Sequence, residues 1–150
     1  MATAARLTVL ALTVGCLAAC TNSSLTAGPT PNISGSWSGT IAGVQQGPGT
    51  IAFTLSQRGL PLLPPGVGAE QELTGTWSTT FAFAGYDRSG TVAGTVSQSS
   101  VTVTLTPGTP DCSYAVSATL KDSTSMSGTW TYAAANCANV SSGTVSAVRH

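Results

Sequence analysis

The feature of this sequence that most constrains the fold is a strict alternation of apolar and hydroxyl-bearing residues. It is clearest in three related units, ISGSWS at 33–38, LTGTWS at 73–78 and MSGTWT at 126–131. Each unit alternates along its length: positions one, three and five hold an apolar residue, a glycine and a tryptophan, and the positions between them hold Ser or Thr. Because successive side chains of a β-strand point to opposite faces, this period of two predicts strands with one buried face. The helical period is absent from Ile33 onward, so we expect an all-β domain.

Eight strands are predicted from this alternation and from the turn residues between them. Gly, Pro, Asn and Asp cluster at the breaks, as in Gly47-Pro48-Gly49 and in PGTP at 107–110. A meander of eight strands that closes on itself leaves no exposed edge. We therefore expect an antiparallel up-and-down β-barrel over 33–150. The predicted strands are 33–42, 50–58, 71–83, 89–97, 100–106, 112–120, 124–133 and 142–149.

The three tryptophan units also bear on the architecture. Their irregular spacing argues against a solenoid, in which repeats recur at a fixed period. A glycine stands two residues before each tryptophan, at Gly35, Gly75 and Gly128. Glycine at such a position lets a strand bend sharply or leaves room beside a large ring. Both interpretations fit a single barrel with several kinked strands.

Gly35-Ser36-Trp37 in the first strand and Arg149 near the end of the last resemble the calycin superfamily of lipocalins, avidins and fatty-acid-binding proteins. The LTGTW form at 73–77 adds an avidin-like element. The resemblance implies that Arg149 crosses Trp37 at the closed end of the barrel, where an arginine over an indole face is attractive by about 0.5–2 kcal/mol. The chain also resembles small uncharacterised bacterial lipoproteins with repeated Gly-Thr-Trp strands and a late cysteine pair.

If Trp37 marks the closed end, the connections alternate between the two ends of the barrel. The tight turns near 98–100 and 121–123 then lie at the closed end, and the connections at 43–49, 84–88, 107–111 and 134–141 gather at the open mouth. Cys112 and Cys137 both fall at that mouth on neighbouring strands, so we expect a disulfide between them. The alternative, a zinc site, is disfavoured because no histidine lies near either cysteine.

The N-terminal residues predict export and an anchor. Met1–Arg6 carries one positive charge, and the 13-residue apolar run Leu7–Ala19 ends in small residues before Cys20. This pattern is typical of a signal peptide over 1–19, and the run is too short to span a membrane as a helix. Leu17-Ala18-Ala19-Cys20 resembles the lipobox of bacterial lipoproteins, which implies cleavage before Cys20 and acylation of its thiol. The alternative is an ordinary secretory signal followed by a chance cysteine.

The residues after Cys20 predict where the domain is held. The resemblance to bacterial lipoproteins implies the cell envelope, and the outer membrane in a Gram-negative host, because Thr21 stands where a retention signal has Asp. TNSSLTAGPTPN at 21–32 has the composition of a flexible tether. We therefore expect a signal peptide at 1–19, a lipidated tether at 20–32 and a barrel at 33–150, attached to the membrane through Cys20.

Composition excludes several function classes. Only 7% of the residues are charged, and no basic stripe marks a nucleic-acid surface. The one histidine, His150, is the last residue, which disfavours a role as a catalytic base. The carboxylates lie in or beside predicted turns: Glu70, Glu72, Asp87, Asp111 and Asp122. We expect no catalytic residues, no metal and no cofactor, and therefore a protein that is not an enzyme.

Two functions remain open after these exclusions. The leading hypothesis is a lipid-anchored barrel that binds a small apolar molecule in a hollow interior, as eight-stranded barrels do when side chains leave room. The alternative is a filled barrel without ligand that acts through its outer surface. For the apolar segment GLPLLPPGVG at 59–68 we expect one of three roles: it packs on the base of the barrel, it contacts a membrane, or it binds a partner. The candidate ligand-binding residues are Trp77, Phe81, Phe83, Tyr114, Trp130 and Tyr132.

Overall fold

The protein is all-β, with eight antiparallel strands. The computed structural model describes residues 30–59, 70–133, 137 and 141–150. The strands begin and end within a few residues of their predicted limits, because alternation and turn residues are both local signals. They are β1 (Gly35–Gly43), β2 (Gly47–Gly59), β3 (Gln71–Phe81), β4 (Arg88–Ser97), β5 (Ser100–Pro107), β6 (Tyr114–Leu120), β7 (Ser125–Tyr132) and β8 (Ser142–Arg149).

The strands form a closed up-and-down barrel, which confirms the predicted architecture. Each strand pairs with the next along the chain, and β8 pairs with β1 to close the sheet. In this register Trp37 of β1 lies opposite Phe53 of β2 on one side and Arg149 of β8 on the other. Closure leaves no strand edge free to pair with another chain. The barrel is similar in this respect to those of lipocalins and avidins.

One face of every strand is buried, and β5 shows the pattern most simply. Val101, Val103 and Leu105 are at most 6% exposed, while Thr102 and Thr104 between them face solvent. Each such apolar side chain contributes about 1.5–3 kcal/mol by leaving water. The outer wall consequently carries mostly Ser and Thr hydroxyls, and the interior holds one hydrophobic core.

The glycines of the tryptophan units allow neighbouring strands to approach closely. A Cβ atom on Gly75 would lie 2.0 Å from the carbonyl oxygen of Thr54, and one on Gly128 would lie 2.1 Å from that of Ser117. No side chain fits at either position, so these strands coil tightly around the core. The role that Gly75 and Gly128 show is therefore close approach to the backbone of the neighbouring strand.

The connections lie at the predicted ends of the barrel. The tight turns after β4 and β6 share the closed end with the start of β1, and the connections after β1, β3 and β5 lie at the mouth with the described part of the connection after β7. The predicted signal peptide, Cys20, most of the tether and all of the apolar segment 59–68 except its first residue lie outside the described residues. Among the residues that are described, none belongs to a helix long and apolar enough to cross a membrane.

One inward assignment was wrong. Phe83 was predicted to continue the buried face of the third strand, but β3 ends at Phe81 and Phe83 is 55% exposed. The side chain of Asp87 accepts a hydrogen bond from the N–H of Phe81 at 2.8 Å, and Gly85 has a positive φ of 90°. The chain therefore turns after Phe81 and carries Phe83 to the outer rim, although its parity still matches the buried set.

Candidate functional site at the barrel mouth

Four of the six candidate ligand-binding residues form one aromatic cluster in the mouth half of the barrel. Tyr114 stands at its centre, with its ring centroid 5.2 Å from Trp77, 5.2 Å from Trp130 and 5.3 Å from Tyr132. Trp130 and Tyr132 also contact each other, at 5.8 Å. These distances are those of favourable tilted and edge-to-face ring pairs. Strands that are distant along the chain therefore bring their aromatic rings together, and these rings fill the space between the strands.

The mouth above this cluster is closed by the side chain of Gln46. Gln46 is fully buried, although Val44 in the same turn is 84% exposed. Its Nε2 donates a hydrogen bond to the hydroxyl of Tyr132 at 3.0 Å, and its Oε1 accepts one from the hydroxyl of Ser141 at 2.8 Å. Both halves of the carboxamide are thus paired, as a buried amide requires. We call Gln46, Tyr132 and Ser141 the mouth network.

The mouth network continues into the aromatic cluster through the two tyrosines. The ring of Tyr114 packs against that of Tyr132, and burial raises the pKa of Tyr114 strongly, with the neighbouring Tyr132 adding to the effect. A phenol in these surroundings stays protonated at any physiological pH. Tyr114 is therefore unsuited to act as a base.

Two glycines make room for the indole of Trp130. A Cβ atom on Gly43 would lie 2.7 Å from Cζ2 of Trp130, and one on Gly143 would lie 2.8 Å from its Nε1. Trp130 in turn donates its Nε1 hydrogen to the carbonyl of Ala42 at 3.1 Å. The indole ring of Trp130 therefore packs closely against the backbone of β1 and β8, and its N–H is paired with β1.

The indole N–H of Trp77 differs from those of the other two tryptophans. Trp77 is 3% exposed, and its Nε1 has no hydrogen-bond partner, the one such buried side-chain atom found in the described part of the chain. Trp37 and Trp130 both donate to backbone carbonyls. An unpaired buried donor costs about 1–3 kcal/mol, so this atom requires a physical explanation.

The two phenylalanines among the candidates lie apart from the ring contacts of the cluster. Phe81 is 6% exposed and sits at the end of β3, where its ring would meet a Cβ on Gly49 at 3.0 Å. Phe83 lies on the outer rim, where its ring packs within 3.2 Å of the Cβ position of Gly47. Of the predicted set, only Phe83 is therefore placed outside the barrel.

The predicted disulfide is present at the mouth. Cys112 and Cys137 are bonded, with their Cα atoms 5.8 Å apart, and they join the connection after β5 to the connection after β7. Beside them the N–H of Ala133 donates to the carbonyl of Ser113, and that of Tyr132 to the carbonyl of Ser141. The disulfide therefore ties together the segments that position Tyr132 and Ser141.

An ion pair between Arg88 and Asp111 lies next to the disulfide. Partial burial opposes ionisation of Asp111, but the backbone N–H of Cys112 and the Arg88 guanidinium outweigh it and lower the pKa of this carboxyl. Arg88 also donates to the carbonyls of Gly85 and Asp87 at 2.8 Å. Arg88 thus braces the rim of the mouth instead of standing free as an anion-binding group.

The outer rim of the mouth carries the exposed apolar groups of this end. Val44 is 84% exposed and Phe83 is 55% exposed, and Gly47, the first residue of β2, lies against the ring of Phe83. We call Val44 and Phe83 the rim patch.

An open groove of about 630 Å³ also lies at the mouth, between β3, β4 and the connection after β5. Its lining includes Ser78, Thr79, Arg88, Ser89 and Thr109.

Trp37 and Arg149 are register partners at the closed end, and the crossing of the indole face by Arg149 stays a prediction. Trp37 is 1% exposed and donates its Nε1 hydrogen to the carbonyl of Ile33 at 2.8 Å. Arg149 donates to the carbonyl of Asn32 at 2.9 Å, and its Nε lies 3.1 Å from the Cβ position of Gly35. Arg149 therefore spans from the last strand to the segment that precedes the first.

Sequence reasoning did not identify Gln46 or Ser141. Both are polar residues in or beside predicted turns, where side chains are usually solvated. No period or motif in the sequence distinguishes Gln46 from its exposed neighbour Gln45. Only the meeting of Gln46 and Ser141, 95 residues apart, shows that they close the mouth.

The described residues hold no cluster of metal-ligating side chains. No group of three or more His, Cys, Asp or Glu residues within these ranges is placed to hold a metal ion. His150 lies at the closed end beside the hydroxyl of Ser38, on the outside of the barrel. Asp122 is fully exposed, and the hydroxyl and N–H of Thr124 lower its pKa in a local turn.

Comparison with known proteins adds no further assignment. No family model, no curated protein and no solved structure matches this chain.

Proposed function

We propose that this protein is a lipid-anchored envelope protein whose filled barrel acts as a rigid scaffold and contacts its partner through the rim of the mouth. The observation that carries this proposal is the contrast between the interior and the rim. In the mouth half of the interior, packed rings occupy the space and Gln46 closes it. On the rim, Val44 and Phe83 face solvent.

The interior disfavours a preformed ligand cavity. Such a site is usually an open, apolar-lined space of roughly 300–1,000 Å³. Here Trp77, Tyr114 and Trp130 are each at most 3% exposed, and their rings touch. The large groove at the mouth is lined mainly by polar and charged side chains. The geometry therefore supports the surface function better than the leading hypothesis of a hollow, ligand-binding barrel.

The outer wall and the rim offer different surfaces to a partner. The wall presents Ser and Thr hydroxyls with few charges, as on β5, and such groups stay well hydrated. Exposed apolar side chains clustered on a surface more often mark a contact site. The rim patch therefore supplies the apolar part of the proposed interface, and Arg88 and Asp111 lie at its polar margin.

The anchor is tested by replacing Cys20. We expect the exported wild-type protein to sediment with membranes and to carry an acyl mass on Cys20. The Cys20→Ala variant should be soluble, because alanine has no thiol to be acylated and the protein then lacks the acyl chains that hold it on the membrane. A Cys20→Ala protein that stays with the membrane contradicts the anchor.

The rim contact is tested by site-specific photo-crosslinking in intact cells. A photoreactive residue at Val44 or Phe83 should give one shared adduct. The same residue at Val148, which is 50% exposed at the closed end, is the matched control and should not give it. Adducts of equal yield at all three positions, or none at the rim, would contradict the proposal.

A small ligand remains a second candidate function because of one observation, the unpaired N–H of Trp77. A mainly apolar molecule with one hydrogen-bond acceptor would pair that donor, provided that Gln46 moved aside to admit it. Native mass spectrometry of the exported domain tests this candidate. A co-purified molecule that is retained by wild type and lost from Trp77→Phe would support it, and a bare protein mass would count against it.

A further inference from the structure

The segment before β1 is held firmly against the closed end. We call residues 30–34 the strap. The N–H of Ile33 donates to Oε1 of Gln57 at 2.7 Å, and Nε2 of Gln57 donates to the carbonyl of Pro31 at 3.0 Å. At the start of the strap, the hydroxyl of Thr30 accepts a hydrogen bond from the N–H of Gln98 in the turn after β4. The predicted tether therefore does not reach the barrel as a free chain, since its last residues, 30–32, belong to the strap.

The strap is anchored by burial as well as by hydrogen bonds. Ile33 is fully buried, and its carbonyl accepts the indole hydrogen of Trp37. Arg149 holds the carbonyl of Asn32 from the last strand. The strap is thus bound to the closed end as far back as Thr30, the first described residue.

Only ten residue steps separate Thr30 from Cys20. Ten residues span about 35 Å when fully extended, but a flexible chain of that length has an r.m.s. end-to-end distance of only about 18 Å. The strands hold 8 to 13 residues in β5 and β2. At an ordinary barrel tilt the mouth therefore lies roughly 20–30 Å from the closed end. The mouth reaches the bilayer only if the tether runs along the wall near full extension.

We infer that the closed end faces the lipid bilayer and that the rim patch is presented away from it. This inference rests on the proposed acylation of Cys20. It assigns a membrane surface to the turns beside the strap and places Val44 and Phe83 in the aqueous space on the far side of the barrel.

The charges of the closed end indicate what kind of lipid contact to expect. Arg58, Lys121 and Arg149 lie at this end, and Glu70, Glu72 and Asp122 lie there too. Three basic and three acidic side chains give no net attraction to anionic lipid. The contact is therefore with the headgroup region of a bilayer in general, and it should depend little on the fraction of anionic lipid.

The orientation is tested with the lipidated full-length protein in phosphatidylcholine vesicles that contain a headgroup-nitroxide lipid. A single fluorophore is attached through Val148→Cys or Val44→Cys, both exposed sites. We expect several-fold stronger quenching of the fluorophore at position 148. Equal quenching at both sites, or stronger quenching at position 44, would overturn the inference.

A tether variant separates orientation by the short tether from intrinsic affinity of the closed end. Inserting about 30 Gly/Ser residues after Cys20 raises the r.m.s. length to about 35 Å. The difference between the two fluorophores should then shrink, and an unchanged difference would overturn the tether as its cause. Failure of the anchor itself is seen separately, because an unacylated protein would not float with the vesicles at all.

Discussion

Two glutamines, one at each end of the barrel, hold neighbouring segments through their side chains, and they do so in different surroundings. Gln57 at the closed end is half-buried and bonds to the strap, which is continuous with its neighbouring strand β1. Gln46 at the mouth is fully buried and bonds to side chains from two other parts of the chain. Water can replace lost hydrogen bonds at the first site and cannot at the second. The mouth should therefore be the end that tolerates change least.

The largest effect at the mouth should come from the disulfide. Replacing both Cys112 and Cys137 by Ala should lower the free energy of unfolding by about 3 kcal/mol, as expected for a closed loop of this size. Denaturant unfolding measures the loss. Hydrogen exchange should show lower protection first at the N–H groups of Tyr132 and Ala133 and only later at Arg149, on the closed end. A uniform loss along the barrel would mean that the two ends are not independent.

The matched pair Gln46→Ala and Gln57→Ala tests the comparison directly. Gln46→Ala removes a partner from the buried hydroxyl of Ser141 and from the half-buried hydroxyl of Tyr132, and it should cost about 1–3 kcal/mol. Gln57→Ala lets water reach the strap and should cost about 0.5–1.5 kcal/mol. Both are measured by denaturant unfolding. A larger loss for Gln57→Ala would reverse the ranking of the two ends.

A third test compares one tryptophan at each end. Trp37→Phe removes the hydrogen bond to Ile33 and leaves a buried carbonyl unpaired, which should cost about 1–3 kcal/mol beyond the change in packing. Trp77→Phe removes a donor that has no partner and should cost less. Thermal unfolding of the two variants gives the order. Equal losses would show that the N–H of Trp77 is paired in solution, which would strengthen the case for a ligand.

The smallest expected effect concerns the ion pair at the rim. The pKa of Asp111 is lowered in the folded state, so its stabilising contribution is full above the unfolded pKa, about 3.9, and is lost as pH falls through the folded pKa. Asp111→Asn should therefore be less stable than wild type at pH 7 by about 0.2–1 kcal/mol, since both partners are partly solvated. The two proteins should converge in urea titrations below about pH 4. A difference in stability that stays constant down to pH 2 would mean that loss of the carboxylate charge is not its cause.

Most of the fold could be predicted from local signals. Alternation in β3 and β7 and the turn residues between strands determine which residues face inward, because side-chain direction in a strand depends only on parity. Phe83 shows the limit of that argument. Its parity is right, but the carboxylate of Asp87 and the positive φ of Gly85 end the strand before it.

The candidate site was only partly predictable. The aromatic residues were identified because large apolar side chains at inward positions are recognisable in the sequence, and Cys112 and Cys137 were paired from topology. Gln46 was missed because a polar residue in a turn has no local feature that marks it as buried. The strap was missed for the same reason, since Thr30 and Pro31 match the composition of a flexible linker.

The sequence by itself determined the strands and, except at Phe83, their inward faces, since both depend on residues within a few positions of one another. Whether the barrel is hollow or filled was decided only by the tertiary structure. Trp77, Tyr114 and Trp130 stand far apart along the chain, and the space between them depends on how closely their strands approach. The closure of the mouth depends likewise on Gln46 reaching Ser141, a contact between side chains that share no local period.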